Sequence, residues 1–148
     1  MTETLSVLFL CKGNSSRSQM AEAFLRKYGG DRFDAYSAGL DPVGINPFAI
    51  RVMKEIGIEL AGHRAKSFRE YMGKKRFTYL ITVCTVAEER CPRAFPGVAQ
   101  RLHWPFDDPV EVQGSDEEKL EAFRRVRDRI EDRIKEWLSE FGIPEKKD

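Results

Sequence analysis

Cys11 and Arg17 stand with five residues between them, Lys12-Gly13-Asn14-Ser15-Ser16, on a stretch that links an apolar run to good helix formers. A loop leaving a strand and entering a helix turns its backbone N–H groups inward, where the helix dipole also favours negative charge. Donors arranged to hold an oxyanion also stabilise a sulfur anion, so Cys11 is expected as a thiolate. The planar fork of Arg17 suits two oxygens of a tetrahedral oxyanion. Gly13 and Asn14 tolerate the left-handed backbone a tight anion nest needs. Ser18, just past the arginine, can give a hydroxyl hydrogen bond to the Cys11 sulfur. The chemistry implied is attack by a thiolate on a phosphate-like ligand. A bare cysteine-to-arginine spacing occurs by chance; here the strand before it, the helix after it and the residues inside it agree.

Two further cysteines complete the set of three. Cys84 ends the apolar run Tyr79-Leu-Ile-Thr-Val, and Cys91 precedes Pro92. Taken alone, both read as small buried or incidental residues. With a thiolate site in hand, Cys84 gains weight, because it falls at the same sheet edge as Cys11. If Thr85 to Arg90 are helical, Cys84 and Cys91 lie about 10 Å apart along the axis. A disulfide needs Cα atoms within roughly 4.4–6.8 Å. The two can bond only if the helix unwinds, and Thr85-Val-Ala-Glu-Glu-Arg offers little apolar anchoring against that. Asp107 and Asp108 in Trp104-Pro-Phe-Asp-Asp-Pro109 supply a carboxyl that can protonate a leaving oxygen, or form a polar turn before the proline.

The elements that must position these groups alternate. Strands are expected at Val7–Leu10, Phe33–Ser37, Tyr79–Val83 and Gln100–His103. The first and third are continuous apolar runs, as in a parallel sheet covered on both faces. Asn46 caps a helix with Pro47 at its first position, and Gly57 stops it. A short helix is expected from Ser67. Ser115 and Glu118 make a capping-box pattern for a last helix with the stripe Phe123, Val126, Ile130, Ile134, Trp137 and Phe141, ended by Gly142 and Pro144. The fold class is α/β: one domain over residues 1–148, a doubly wound four-stranded parallel sheet with helices on both faces. Ligands then bind at the carboxyl ends of the strands, where Cys11 falls.

The chain has 148 residues, enough for one core, and its 25 basic against 24 acidic residues leave a net charge of +1. No global field recruits nucleic acid or membrane. The amino terminus lacks the pattern of an export signal, and no apolar run approaches a membrane span. Three cysteines argue against a disulfide framework and for a cytoplasmic protein. Their spacing, with His63 and His103 isolated, gives no metal site. The charged face of the last helix reads as a solvated surface.

Cys11 to Glu22, with Tyr36-Ser-Ala-Gly39, Asn46-Pro47 and His103-Trp-Pro-Phe-Asp-Asp-Pro109, resembles the low-molecular-weight protein tyrosine phosphatase superfamily over most of the chain. Within it the sequence most resembles the thioredoxin-coupled arsenate reductases, in which two cysteines spaced like Cys84 and Cys91 form a switch. The resemblance implies an enzyme with no bound cofactor, a monomer using arsenate and thioredoxin, with weak phosphatase activity. It implies a relay through Cys11–Cys84 and Cys84–Cys91 disulfides, with Asp108 as the acid and Asp107 structural. A tyrosine phosphatase using Cys11, Arg17 and Asp108 alone is the alternative. Val110-Glu-Val-Gln after the Asp-Pro offers no aromatic platform for a phosphotyrosine ring and favours a small inorganic substrate.

Three positions depart from the family pattern. Lys12 replaces a small neutral residue; it either adds positive charge near the anion or, the reading preferred here, projects to solvent. Ser16 replaces a cysteine, leaving only the three relay cysteines. Relatives that bind potassium behind the loop use residues matching Asn14, Glu22 and Ser37 plus an aspartate. Here that aspartate is Lys66, whose ammonium is expected to replace the ion and pair with Glu22.

Overall fold

Strand β1, Leu5–Cys11, sits in the middle of the sheet because its residues Val7 to Leu10 are wholly apolar and wholly buried. The computed structural model describes residues 4–92 and 95–142. Helix α1 follows at Arg17–Gly29, then β2 (Phe33–Gly39), α2 (Pro47–Lys54), β3 (Phe77–Thr82), α3 (Thr85–Arg90), β4 (Val98–His103) and α4 (Asp116–Ser139). The sheet order is β2-β1-β3-β4, and each pairing is parallel. From β1 the chain steps outward to β2 and then crosses back to β3. That reversal opens a crevice at the carboxyl ends of β1 and β3, where ligands bind in such sheets.

α1 and α4 pack against each other, and α4 buries Leu120, Phe123, Val126, Ile130, Ile134 and Trp137. Trp137 lies edge-on to Tyr79 at 5.1 Å and against Phe33 at 5.5 Å, so α4 closes over β2 and β3. By strand alternation Tyr36 points to the other face, where it meets Tyr71 edge-on at 5.6 Å. β4 forms an edge, and its side chains are only partly buried.

The expected strands and helices are present. Asn46 Oδ1 accepts from Phe48 N at 2.8 Å with Pro47 at the first helical position, and the Ser115–Glu118 capping box is formed on both sides. The helix expected from Ser67 is a single 3₁₀ turn, Phe68–Glu70, capped by Ser67 and holding one buried side chain, Phe68. α4 ends at Ser139, with Gly142 at φ +75°; Pro144 lies outside the described residues. Phe141, beyond the helix end, still packs on Trp137 and Phe33.

Gly39 closes β2 directly behind the loop. A Cβ there would stand 2.7 Å from Asn14 N and 2.8 Å from Gly13 C, backbone atoms that cannot turn aside. Gly39→Ala is expected to destabilise the chain by about 1–3 kcal/mol through overpacking, read from the urea midpoint. A variant with the parent's midpoint would contradict this placement.

Candidate active site

The loop from Cys11 to Arg17 is held from outside by its carbonyls. Those of Cys11, Lys12, Gly13 and Ser15 accept from the N–H groups of Leu40, Asp41, Val43 and Asn46 at 2.8–3.1 Å. With its acceptors tied to the 40–46 segment, the loop turns its donors inward. Asn14 carries the turn at φ +51°, the one positive φ on a non-glycine among the described residues. Gly13 does not share that conformation; a Cβ there would stand 2.9 Å from Val43 Cγ2, on an exposed side chain that can turn aside. Ser16 is buried and precedes α1, whereas Lys12 is exposed, as its reading toward solvent anticipates.

Cys11 is 3% exposed at the end of β1. Its sulfur accepts from Asn14 N at 3.2 Å and lies 2.8 Å from Ser18 Oγ. Asn14 Nδ2 donates to that same Ser18 oxygen at 2.8 Å. An amide nitrogen can only donate, so the single hydroxyl proton of Ser18 is left for Cys11. Asn14 is in turn fixed by its Oδ1, which accepts from Gln19 Nε2 at 3.0 Å and Lys66 N at 2.8 Å. Gln19 also donates to the carbonyls of Asn14 and Arg64 and meets His63 Nδ1 at 3.3 Å. The sequence reading found Ser18 but not Gln19. No local signal marked it, because its burial and its partners, the Arg64 carbonyl and His63, are brought together only by the fold.

Arg17 begins α1 and crosses to the opposite loop. Nη1 donates to Phe106 O at 3.0 Å, and Nη2 lies 3.4 Å from Asp108 Oδ2. Its Nε is buried with no hydrogen-bond partner among the described residues, so this donor is free to meet a ligand. Asp108 caps the turn after it by accepting from Val110 N at 3.1 Å, which fixes the carboxyl beside Arg17. Asp107 points elsewhere: it is 85% exposed and pairs with Arg129 at 3.5 Å. The two aspartates therefore face different surroundings.

Behind the loop, Glu22 is almost fully buried. It accepts from Ser37 Oγ at 2.6 Å and pairs with Arg26 at 3.1 Å, one turn along α1, and with His63 at 3.8 Å. The direct Lys66–Glu22 pair expected from sequence is not formed, because Arg26, His63 and Ser37 already serve that carboxylate. The Lys66 ammonium instead reaches Arg64 O at 2.9 Å and Asn14 Oδ1 at 3.5 Å. Burial draws Lys66 below the ordinary lysine range, while the Glu22 carboxylate acts through space to hold its charge. A potassium ion ligated by Asn14 would meet this ammonium, so the residues present do not fit one.

Cys84 lies just past β3, next to the strand that carries Cys11, since Val83 N donates to Leu10 O at 2.9 Å. It caps α3: its sulfur accepts from Ala87 N at 3.3 Å. Cys91 is the residue at the other end, where its N–H donates to Ala87 O. All three cysteines are free and buried. Burial pushes the Cys91 thiol above its usual range, against a smaller pull from Arg101. The helix between the two cysteines is formed as expected. Its anchoring is polar rather than simply weak: only Ala87 is buried, but Glu88 accepts from Thr82 Oγ1 at 2.5 Å and lies near His103, and Arg90 pairs with Asp41 at 3.2 Å. Both histidines are thus hydrogen-bonded structural residues.

Known proteins resemble this chain in sequence and in fold. An arsenate reductase of Halalkalibacterium halodurans is 47% identical over 129 residues, 87% of this chain and 91% of the relative. A solved arsenate reductase in the phosphate-binding state superposes with a TM-score of 0.76 at 29% identity, covering 93% of this chain and 98% of the other. A thioredoxin-dependent arsenate reductase of Corynebacterium glutamicum matches with a TM-score of 0.68 at 26% identity, over 95% of this chain and 63% of the other. The family model for low molecular weight phosphotyrosine protein phosphatases matches residues 6–147, and the chain belongs to that family.

Proposed function

We propose that this protein reduces arsenate to arsenite through its three cysteines and is returned to the thiol state by thioredoxin. The observation that carries the reading is the placement of Cys84 at the crevice beside Cys11, with Cys91 at the far end of a six-residue helix. A phosphatase needs only the Cys11 loop, Arg17 and Asp108, and has no use for the other two thiols. An arsenate reductase at 47% identity, and a thioredoxin-dependent one of similar fold, support the assignment.

The Cys11 sulfur attacks arsenic in an arsenate held by the inward N–H groups and Arg17. Asp108 gives a proton to the departing oxygen, which leaves as water. Cys84 then attacks the Cys11 sulfur; the sulfur–arsenic bond breaks, its electron pair stays on arsenic, and arsenite departs. The Cys11–Cys84 disulfide that remains is opened by Cys91, which attacks the Cys84 sulfur and frees Cys11 as a thiolate. The Cys84–Cys91 disulfide takes two electrons from thioredoxin. This chemistry requires a reducing compartment, which fits a cytoplasmic protein. Val110, 53% exposed after the Asp-Pro pair, presents no ring to grip a phosphotyrosine and favours the inorganic ion. Membership of the phosphatase family supports weak hydrolysis of aryl phosphates by Cys11, Arg17 and Asp108 as a side reaction.

With arsenate, thioredoxin, its reductase and NADPH, the parent should make arsenite over many turnovers. Cys84→Ser should make none, and Cys91→Ser should stop after one event with Cys11 bonded to Cys84. Both variants should still hydrolyse p-nitrophenyl phosphate within about threefold of the parent. Undiminished arsenite turnover by either one would refute the relay.

Lys66 supplies the positive charge behind the loop, so added potassium should leave the rate within about twofold of its value in sodium buffer. Strong potassium stimulation in a titration of the steady-state rate would show that the ammonium does not fill that place.

A further inference from the structure

Arg101 takes no part in the relay as derived above, yet it grips the segment that the relay must unwind. It stands in β4, paired with Leu80 of β3, so its backbone is fixed to the sheet. Its Nη2 donates to Glu88 O at 3.0 Å and its Nη1 to Pro92 O at 3.2 Å. Cys91 lies between those two carbonyls in the chain. The side chain is only 24% exposed, and its Nε faces the Glu88 carboxylate at 3.6 Å.

Apart from Arg101, α3 is held by side-chain contacts, those of Glu88 with Thr82 and of Arg90 with Asp41, the second between exposed groups. Six residues are too few for a helix to persist by its own hydrogen bonds. Ala87 is its one buried side chain, and Val86 is 37% exposed. The two bonds from Arg101 reach the last turn and Pro92, two residues past the helix end. Neither carbonyl can stay in place if Cys91 is to approach Cys84, because the intact helix holds the pair outside disulfide range.

Resting on the relay assigned above, we propose that Arg101 is a positioning residue that latches α3 shut and so sets the order of the thiol exchanges. It keeps Cys91 away from Cys84 until Cys84 has bonded to Cys11. The planar guanidinium matters as well as its charge, since one fork spans two carbonyls and an ammonium cannot. Without the latch, Cys84 and Cys91 pair prematurely, and the first step loses the thiol that must release arsenite.

The test needs no arsenate, so it stands apart from the reductase assignment: a chain that made no arsenite would still give a readable latch. In a Cys11→Ser background, diamide joins the Cys84 and Cys91 thiols. Their two electrons and two protons pass to its N=N bond, giving the hydrazine. Adding Arg101→Gln or Arg101→Lys should speed this disulfide at least tenfold, as measured by peptide mapping against time. Lysine keeps the charge near Cys91 but loses the bridge, so it should behave like glutamine. A lysine variant as slow as the Cys11→Ser parent would overturn the latch in favour of charge alone, and two slow variants would overturn any role for Arg101. Amide hydrogen exchange guards against general loosening. The Glu88 and Cys91 amides should exchange faster in Arg101→Lys, with β1 unchanged; equal acceleration in β1 would also overturn the proposal.

Discussion

The site depends on one backbone arrangement, the turning inside out of residues 11–17. Four carbonyls of the loop are spent on the 40–46 segment, so its amides face the space in front of Cys11. That inversion needs a left-handed residue, and Asn14 takes the strain at φ +51°. An asparagine in that conformation is tolerated at a cost of order 1 kcal/mol. Its side chain offsets the cost by bonding in three directions, to Ser18, to Gln19 and to the Lys66 backbone. Removing Cβ from position 39 lets β2 approach closely enough to support the turn. The inward donors, the hydroxyl aimed at Cys11 and the position of Lys66 all follow from this geometry.

A second constraint acts at the other strand of the crevice. The sheet places Cys84 beside the oxyanion loop but leaves Cys91 one short helix away. An apolar helix of that size, packed into the core, would be hard to open during a catalytic cycle. A polar one, held by Thr82, Arg101 and Asp41, can be released by exchanging hydrogen bonds with water, at a net cost of about 1 kcal/mol each. The rigid loop and the openable helix are thus built from different interactions in adjacent parts of one sheet edge.

The sequence revealed most where the signal is local. Cys11, Arg17 and Ser18 lie on one short loop and its two ends, and the caps at Asn46 and Ser115 are readable from their neighbours alone. The apolar runs of β1 and β3 marked the central strands. What escaped was set by distant partners. Gln19 matters because Arg64 and His63 fold back onto it, and Arg101 because β4 carries it alongside α3. Lys66 was placed in the right region, but its partner was misjudged, since Arg26 reaches Glu22 from the same helix. The turn at Phe68–Glu70 is shorter than expected, because only Phe68 of it has a core to enter.

Single-turnover disulfide mapping tests the central claim most directly. Fully reduced parent protein is mixed with excess arsenate and no other reductant, quenched with acid, alkylated and digested. The account requires one arsenite per chain, Cys11 recovered as a free thiol, and Cys84 joined to Cys91. Arsenite release with all three cysteines recovered as free thiols would contradict it.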